Sequence, residues 1–213
     1  HWADVHNGEW GVTWAPLDTP MTEFGGLWPG YVSGAHHGVT PPGYGHPFLQ
    51  AGELTCSHIY AAVSYNNFRT NFINVRPDEY VLRYAFTAHA GDWRQGQAHA
   101  FGWNALNPPL PVWMKRPRAG SLPLSASFCQ IDAPNALLLT LKPAENGHGL
   151  ILRLIETEGE RADITVALPY LSIAEALETN LVEEDPRLLP DTRHTVRAEL
   201  RPYGLTTIRV ATV

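Results

Sequence analysis

Glu79-Tyr80-Val81-Leu82-Arg83-Tyr84-Ala85-Phe86-Thr87-Ala88-His89 alternates large apolar residues with others at a period of two. Tyr80, Leu82, Tyr84 and Phe86 fall on one face and Val81, Arg83, Ala85 and Thr87 on the other, the pattern of a half-buried β-strand. Just upstream, Tyr65-Asn66-Asn67-Phe68-Arg69-Thr70-Asn71-Phe72 sets side-chain amides between aromatics, which holds polar groups at a strand end.

Strand signals continue outward from this centre. Trp10, Val12 and Trp14 alternate after Asn7-Gly8, a two-residue turn signal that predicts a hairpin within residues 1–18. Residues 54–63 form a further strand candidate, and residues 20–52, rich in Gly and Pro, read as a long irregular excursion. Downstream, Gly91-Asp92-Trp93-Arg94 turns the chain, residues 95–103 continue the strand pattern, and Asn107-Pro108-Pro109-Leu110-Pro111 ends it.

Residues 116–124 hold two prolines, a glycine and no periodicity, so a boundary is expected there. Beyond it, strands are predicted over 127–132, 135–142, 149–156, 163–168, 194–200 and 205–210. The second and third carry apolar residues on both faces and predict a buried central hairpin. Residues 172–181 read differently: Ile173, Leu177 and Leu181 recur at helical spacing, and Ser172 with Glu175 fits a capping box.

Composition agrees with strands and turns. Hydrophobic residues make up 44% of the 213-residue chain and charged ones 17%, with 18 Gly and 18 Pro. A net charge of -6 without a Lys/Arg cluster argues against nucleic acid, since tracking phosphates needs grouped cations; Lys115, Arg116 and Arg118 read as a solvated linker. Cys56 and Cys129 are too few for a disulfide framework and are expected as free thiols. No apolar run approaches the ~20 residues that span a bilayer, so a cytoplasmic protein with no membrane partner is expected. The chain begins on His1 rather than Met and reads as a piece of a longer protein.

Several ordered motifs carry a family likeness. Glu79 to Tyr84 through His89-Ala90-Gly91-Asp92-Trp93, then Phe101-Gly102-Trp103 and Pro109-Leu110, resembles the region of glycoside hydrolase family 38 α-mannosidases that lies after their catalytic domain. The Asn66-Asn67 to Phe72 stretch looks like an element seen before it in one, bacterial-type, branch of that family. Leu141-Lys142-Pro143-Ala144-Glu145-Asn146-Gly147 and Leu152-Arg153-Leu154-Ile155-Glu156 are similar to the family's "LKPAE-x-G…LRLYE" hairpin, with Ile155 where Tyr is usual. Pro202-Tyr203-Gly204-Leu205-Thr206-Thr207 is similar to its closing "PYEIKT" strand, with departures at Gly204, Leu205 and Thr206.

The resemblance implies an all-β chain: a larger, supersandwich-like antiparallel β-sandwich over 1–115, a linker over 116–126, and a smaller β-sandwich over 127–213. It also implies a strand rather than a helix across 172–181. The family's zinc ligands and Asp nucleophile lie in an earlier α/β domain, so no catalytic or metal residue carries over to this chain. What remains is the non-catalytic C-terminal part of a retaining, zinc-dependent α-mannosidase, inactive alone, whose partners are the catalytic domain of the same polypeptide and an α-mannoside.

The residues themselves limit the chemistry further. His36, His37 and His46 share one Gly/Pro loop without a converging Cys or Asp, short of the three or four ligands zinc needs. Glu183-Glu184-Asp185 reads as a solvated turn, Asp92 as a turn cap and Arg83 as a buried structural partner for a carboxylate, so no acid/base pair stands out. Asn66, Asn67, Arg69 and Asn71, beside Tyr65, Phe68 and Phe72, combine planar polar groups with aromatic faces and are the candidate sugar-binding residues. The same side chains would equally serve to brace the catalytic domain or to satisfy their own loop. The competing reading is a stand-alone carbohydrate-binding module.

Overall fold

The structure is a computed structural model that describes residues 1–25, 54, 56–64, 78–116 and 119–213. It divides into two compact units, His1–Leu110 and Pro111–Val213. Every strand pairing among the described residues is antiparallel, and one short helix is the exception to an all-β chain.

In the first unit β1 (Ala3–His6), β2 (Trp10–Pro16) and β5 (Tyr84–Ala90) form a three-stranded sheet in the order β1-β2-β5. The β1–β2 turn is the predicted hairpin: Gly8 takes φ 93°, and Asn7 Oδ1 accepts the N–H groups of Glu9 and Trp10 at 2.9 and 3.0 Å. A separate two-stranded ribbon joins β3 (Thr22–Phe24) to β4 (Ile59–Ala61).

Residues 95–103, expected as strand, instead lead into and form helix α1 (Ala98–Leu106). The preceding turn commits the chain: Asp92 Oδ1 accepts the N–H groups of Arg94 and Gln95, and Gln97 enters the left-handed region at φ 52°. Three alanines then favour helix, and Asn107 closes it by donating its side-chain amide to Trp103 O at 2.8 Å. Alternation alone did not register either signal.

The helix decides which sheet face is covered. Register puts Asp4, Gly11, Thr13, Ala15, Ala85, Thr87 and His89 on one face. Thr13 and Ala15 there are fully buried, as is Ala98 of the helix. The aromatic face is covered only in part: Trp14 is 8% exposed and stacks on Tyr84 at 5.7 Å, whereas Trp10 and Phe86 are 59% and 66% exposed. Small residues allow a helix to approach closely. A Cβ on Gly102 would lie 2.6 Å from Trp2 Cβ, and one on Gly96 2.3 Å from the His89 ring.

The second unit is a sandwich. One sheet has the order β11 (Arg187–Leu188), β10 (Ile173–Thr179), β13 (Leu205–Thr212), β8 (Leu150–Glu156), β7 (Ala136–Pro143). The other has the order β12 (Thr195–Leu200), β9 (Ala162–Ala167), β6 (Gln130–Ile131). Leu152, Leu154, Ile208 and Val210 of the first sheet meet Ile164, Val166, Val196 and Leu200 of the second in one buried cluster. Burying such a side chain contributes roughly 1.5 to 3 kcal/mol each.

Two expectations for this unit resolve here. Residues 173–179 are strand, paired with β13 and β11, so tertiary pairing overrides the helical spacing of Ile173 and Leu177. The hairpin expected to be central is not: β7 is a sheet edge and Leu141 is 44% exposed. A leucine-rich run reports burial on faces, and says nothing of lateral position in a sheet.

Candidate functional site

Asn66, Asn67, Arg69 and Asn71 lie outside the described residues, as do His36, His37 and His46. Among the polar groups that can be placed, four clusters, two in each unit, have an identifiable task.

In the first unit Asp4, Thr13 and His89 meet beneath α1. Asp4 Oδ2 lies 2.7 Å from His89 Nε2 and accepts the Thr13 hydroxyl at 2.7 Å, and His89 Nδ1 lies 3.3 Å from Ala90 O. The side chains of His89 and Asp4 are 7% and 3% exposed. The hydrogen bond to Asp4 is the main reason the His89 pKa is raised above the usual imidazole value. The residue types suggest a nucleophile, base and orienter, but the connections do not. The hydroxyl donates to the carboxylate rather than to the imidazole, so no base activates it.

Arg83 pairs with Asp18. Its Nε and Nη2 donate to Asp18 Oδ2 and Oδ1 at 2.9 and 2.8 Å, and its backbone N–H adds a third bond at 2.8 Å. The hydrogen bonds from Arg83 hold Asp18 at a pKa of about 2. A carboxylate partner was expected for Arg83, but its side chain is 71% exposed rather than buried. Asp18 of this pair borders a cavity of about 620 Å³ in the first unit, walled by Trp2, Trp14, Phe24 and Leu106. Among the described residues its one carboxylate, Asp18, is already committed to Arg83.

In the second unit the motif residues hold the sandwich's loops. Lys142 Nζ lies 2.6 Å from Glu145 Oε1 and 2.6 Å from Glu183 Oε1, and Glu183 Oε2 accepts the Glu145 N–H at 2.8 Å. The Lys142 hydrogen bond is the leading reason the Glu183 pKa is lowered. Glu183, expected in a solvated turn, is only 9% exposed. The turn is real, because Asn180 Oδ1 accepts the N–H groups of Val182 and Glu184. Glu183, at φ 67°, nonetheless projects inward to the lysine.

Glu156, the last residue of β8, is fully buried and accepts four hydrogen bonds. Asn135 Nδ2 and the Glu158 N–H reach Oε1 at 2.9 and 2.8 Å; the N–H groups of Gly159 and Tyr203 reach Oε2 at 2.7 and 2.8 Å. Burial pushes its pKa up, but these bonds outweigh burial and leave it below the usual glutamate value. The sequence signal for this role is the glutamate closing a strand that is apolar but for Arg153. Such a residue is buried only when paired or hydrogen-bonded.

Among the described residues no three His, Cys, Asp or Glu side chains converge as metal ligands. No helix among them is long and apolar enough to cross a membrane. Comparison with known families matches residues 135–208 to the glycosyl hydrolases family 38 C-terminal beta sandwich domain. That range runs from Asn135, which donates to Glu156, to the middle of β13, and so covers the hairpin and closing-strand motifs; the motifs at 66–72 and 79–110 lie outside it. No curated protein matches the chain. The second unit is therefore similar, over residues 135–208, to the C-terminal sandwich of family 38 glycosyl hydrolases.

Proposed function

We propose that this chain is the C-terminal β portion of a retaining, zinc-dependent α-mannosidase, in which it braces the catalytic domain of the same polypeptide. The match of residues 135–208 to the family's C-terminal sandwich carries this reading. Support comes from the polar clusters, whose ionisable groups are largely occupied in holding turns and strands. The exposed aromatics Trp10 and Phe86 of the β1-β2-β5 sheet are the kind of surface an adjoining domain covers. The described residues do not fit zinc, and no step of the reaction is assigned to them. The metal belongs to the catalytic domain in this reading, and the location is cytoplasmic.

Asn66, Asn67, Arg69 and Asn71 are then the residues with the chemistry to reach the sugar at the rim of the site. Asn66→Ala and Arg69→Ala in the complete enzyme test this. Unchanged kcat and KM with lowered stability assign them to bracing, whereas a raised KM for the α-mannoside assigns them to substrate. Calorimetric titration of the isolated chain with mannose and mannobiose should show no heat. Binding heat would replace the brace with a stand-alone carbohydrate-binding module.

A further inference from the structure

We propose that the His89–Asp4 contact is a proton-operated latch that holds the corner formed by residues 91–106 onto the sheet of the first unit. Three observations converge on it. The imidazole is clamped sterically: a Cβ on Gly11 would lie 2.5 Å from His89 Cε1, and one on Gly96 2.3 Å from Cγ. The ring therefore joins β2 on one side to the turn before α1 on the other. Both ring nitrogens face oxygen acceptors, Asp4 Oδ2 at 2.7 Å and Ala90 O at 3.3 Å, an arrangement that only the doubly protonated ring satisfies. Asp4 is buried, and its Oδ1 has no hydrogen-bond partner, so the imidazolium is the contact that compensates its charge.

Among the described residues the surroundings contain few other charges that could take over. On this face β2 contributes only Gly11, Thr13 and Ala15, and β5 only Ala85, Thr87 and His89. Beside Asp4, β1 contributes His6. The turn contributes Asp92, which favours the imidazolium, and Arg94. Helix α1 contributes His99, 4% exposed, whose Nδ1 is also without a hydrogen-bond partner.

Loss of the His89 proton leaves a buried carboxylate without a counter-charge and one ring nitrogen facing an oxygen with no hydrogen between them. The raised pKa sets the sign. The latch is fully engaged below the unfolded imidazole value of about 6.5 and releases as pH rises through the higher folded value. Release should loosen α1 and the turn before it.

The test uses the intact chain. Nitrogen-detected NMR of the histidine side chains from pH 5.5 to 9.5 should show His89 protonated at both nitrogens and titrating above 6.5. Hydrogen exchange in α1, corrected for its intrinsic pH dependence, should speed up across that titration, approaching tenfold per pH unit in the opening constant. Exchange in β8 and β13 should show no such step. His89→Gln, which retains a donor but cannot titrate, should abolish the step in α1. A His89 pKa at or below 6.5, or an exchange step unrelated to its midpoint, would overturn the proposal. So would the same step persisting in His89→Gln. If that variant fails to fold, the two wild-type midpoints decide the question alone.

Discussion

Glu156 Oε2 accepts the backbone N–H of Tyr203 at 2.8 Å, joining the end of β8 to the turn that launches β13 across 47 positions of sequence. The same carboxylate collects three further donors, so a single side chain closes one end of the sandwich.

Glu156→Ala should therefore destabilise the chain on the order of 3 kcal/mol, because four donors lose a charged acceptor at a buried position. Glu156→Gln should fall between the two, since it keeps one acceptor oxygen and presents an amide to the remaining N–H groups. Urea unfolding, read as a shift in midpoint at constant m-value, measures both.

The depressed pKa values of Glu156 and Glu183 predict an acid limb to stability. Each contributes fully above its unfolded value of about 4.3 and loses that contribution as pH falls through the lower folded value. Below pH 4 the second unit should lose thermal stability steeply in the wild type and less steeply in Glu156→Gln. Melting temperature against pH between 2.5 and 6 checks this.

Lys142→Met should lower the melting temperature of the second unit. It keeps the aliphatic stem but leaves Glu183 nearly buried with no cation 2.6 Å away. The Glu183 pKa should rise in that variant, so the loss should be larger at pH 7 than at pH 4. Thermal melts at the two pH values read this directly.

Gly102→Ala tests the packing of α1. Helix propensity alone would favour alanine by about 1 kcal/mol at an exposed helix site. Here the added Cβ would sit 2.6 Å from Trp2 Cβ, an atom fixed to the backbone of the neighbouring strand segment. Overpacking of this kind costs typically about 1 to 3 kcal/mol, so the net effect should be destabilising. Hydrogen exchange across residues 98–106 should rise in the variant.

Period-two alternation made β2 and β5 legible, and Asn7-Gly8 located their hairpin partner β1. It did not reveal which face would be covered. The small residues Gly11, Ala15 and Ala85 admit a helix, and on the other face Trp10 and Phe86 stay exposed. Helix α1 itself was missed because its start depends on Asp92 capping the turn and on a left-handed Gln97, neither of which has a periodic signature. In the second unit the motif glutamates were read as parts of a hairpin. Their tasks depend on partners 38 and 47 positions away, which spacing along the chain cannot supply. The Asp4–His89 pair, 85 positions apart, was hidden for the same reason.

In the proposed function this chain supports catalysis rather than performing it. The most direct measurement is aryl α-mannoside hydrolysis by the purified chain, with and without added zinc. No product above the buffer rate is expected in either condition. Zinc-dependent release of the aryl group by the chain alone would contradict it.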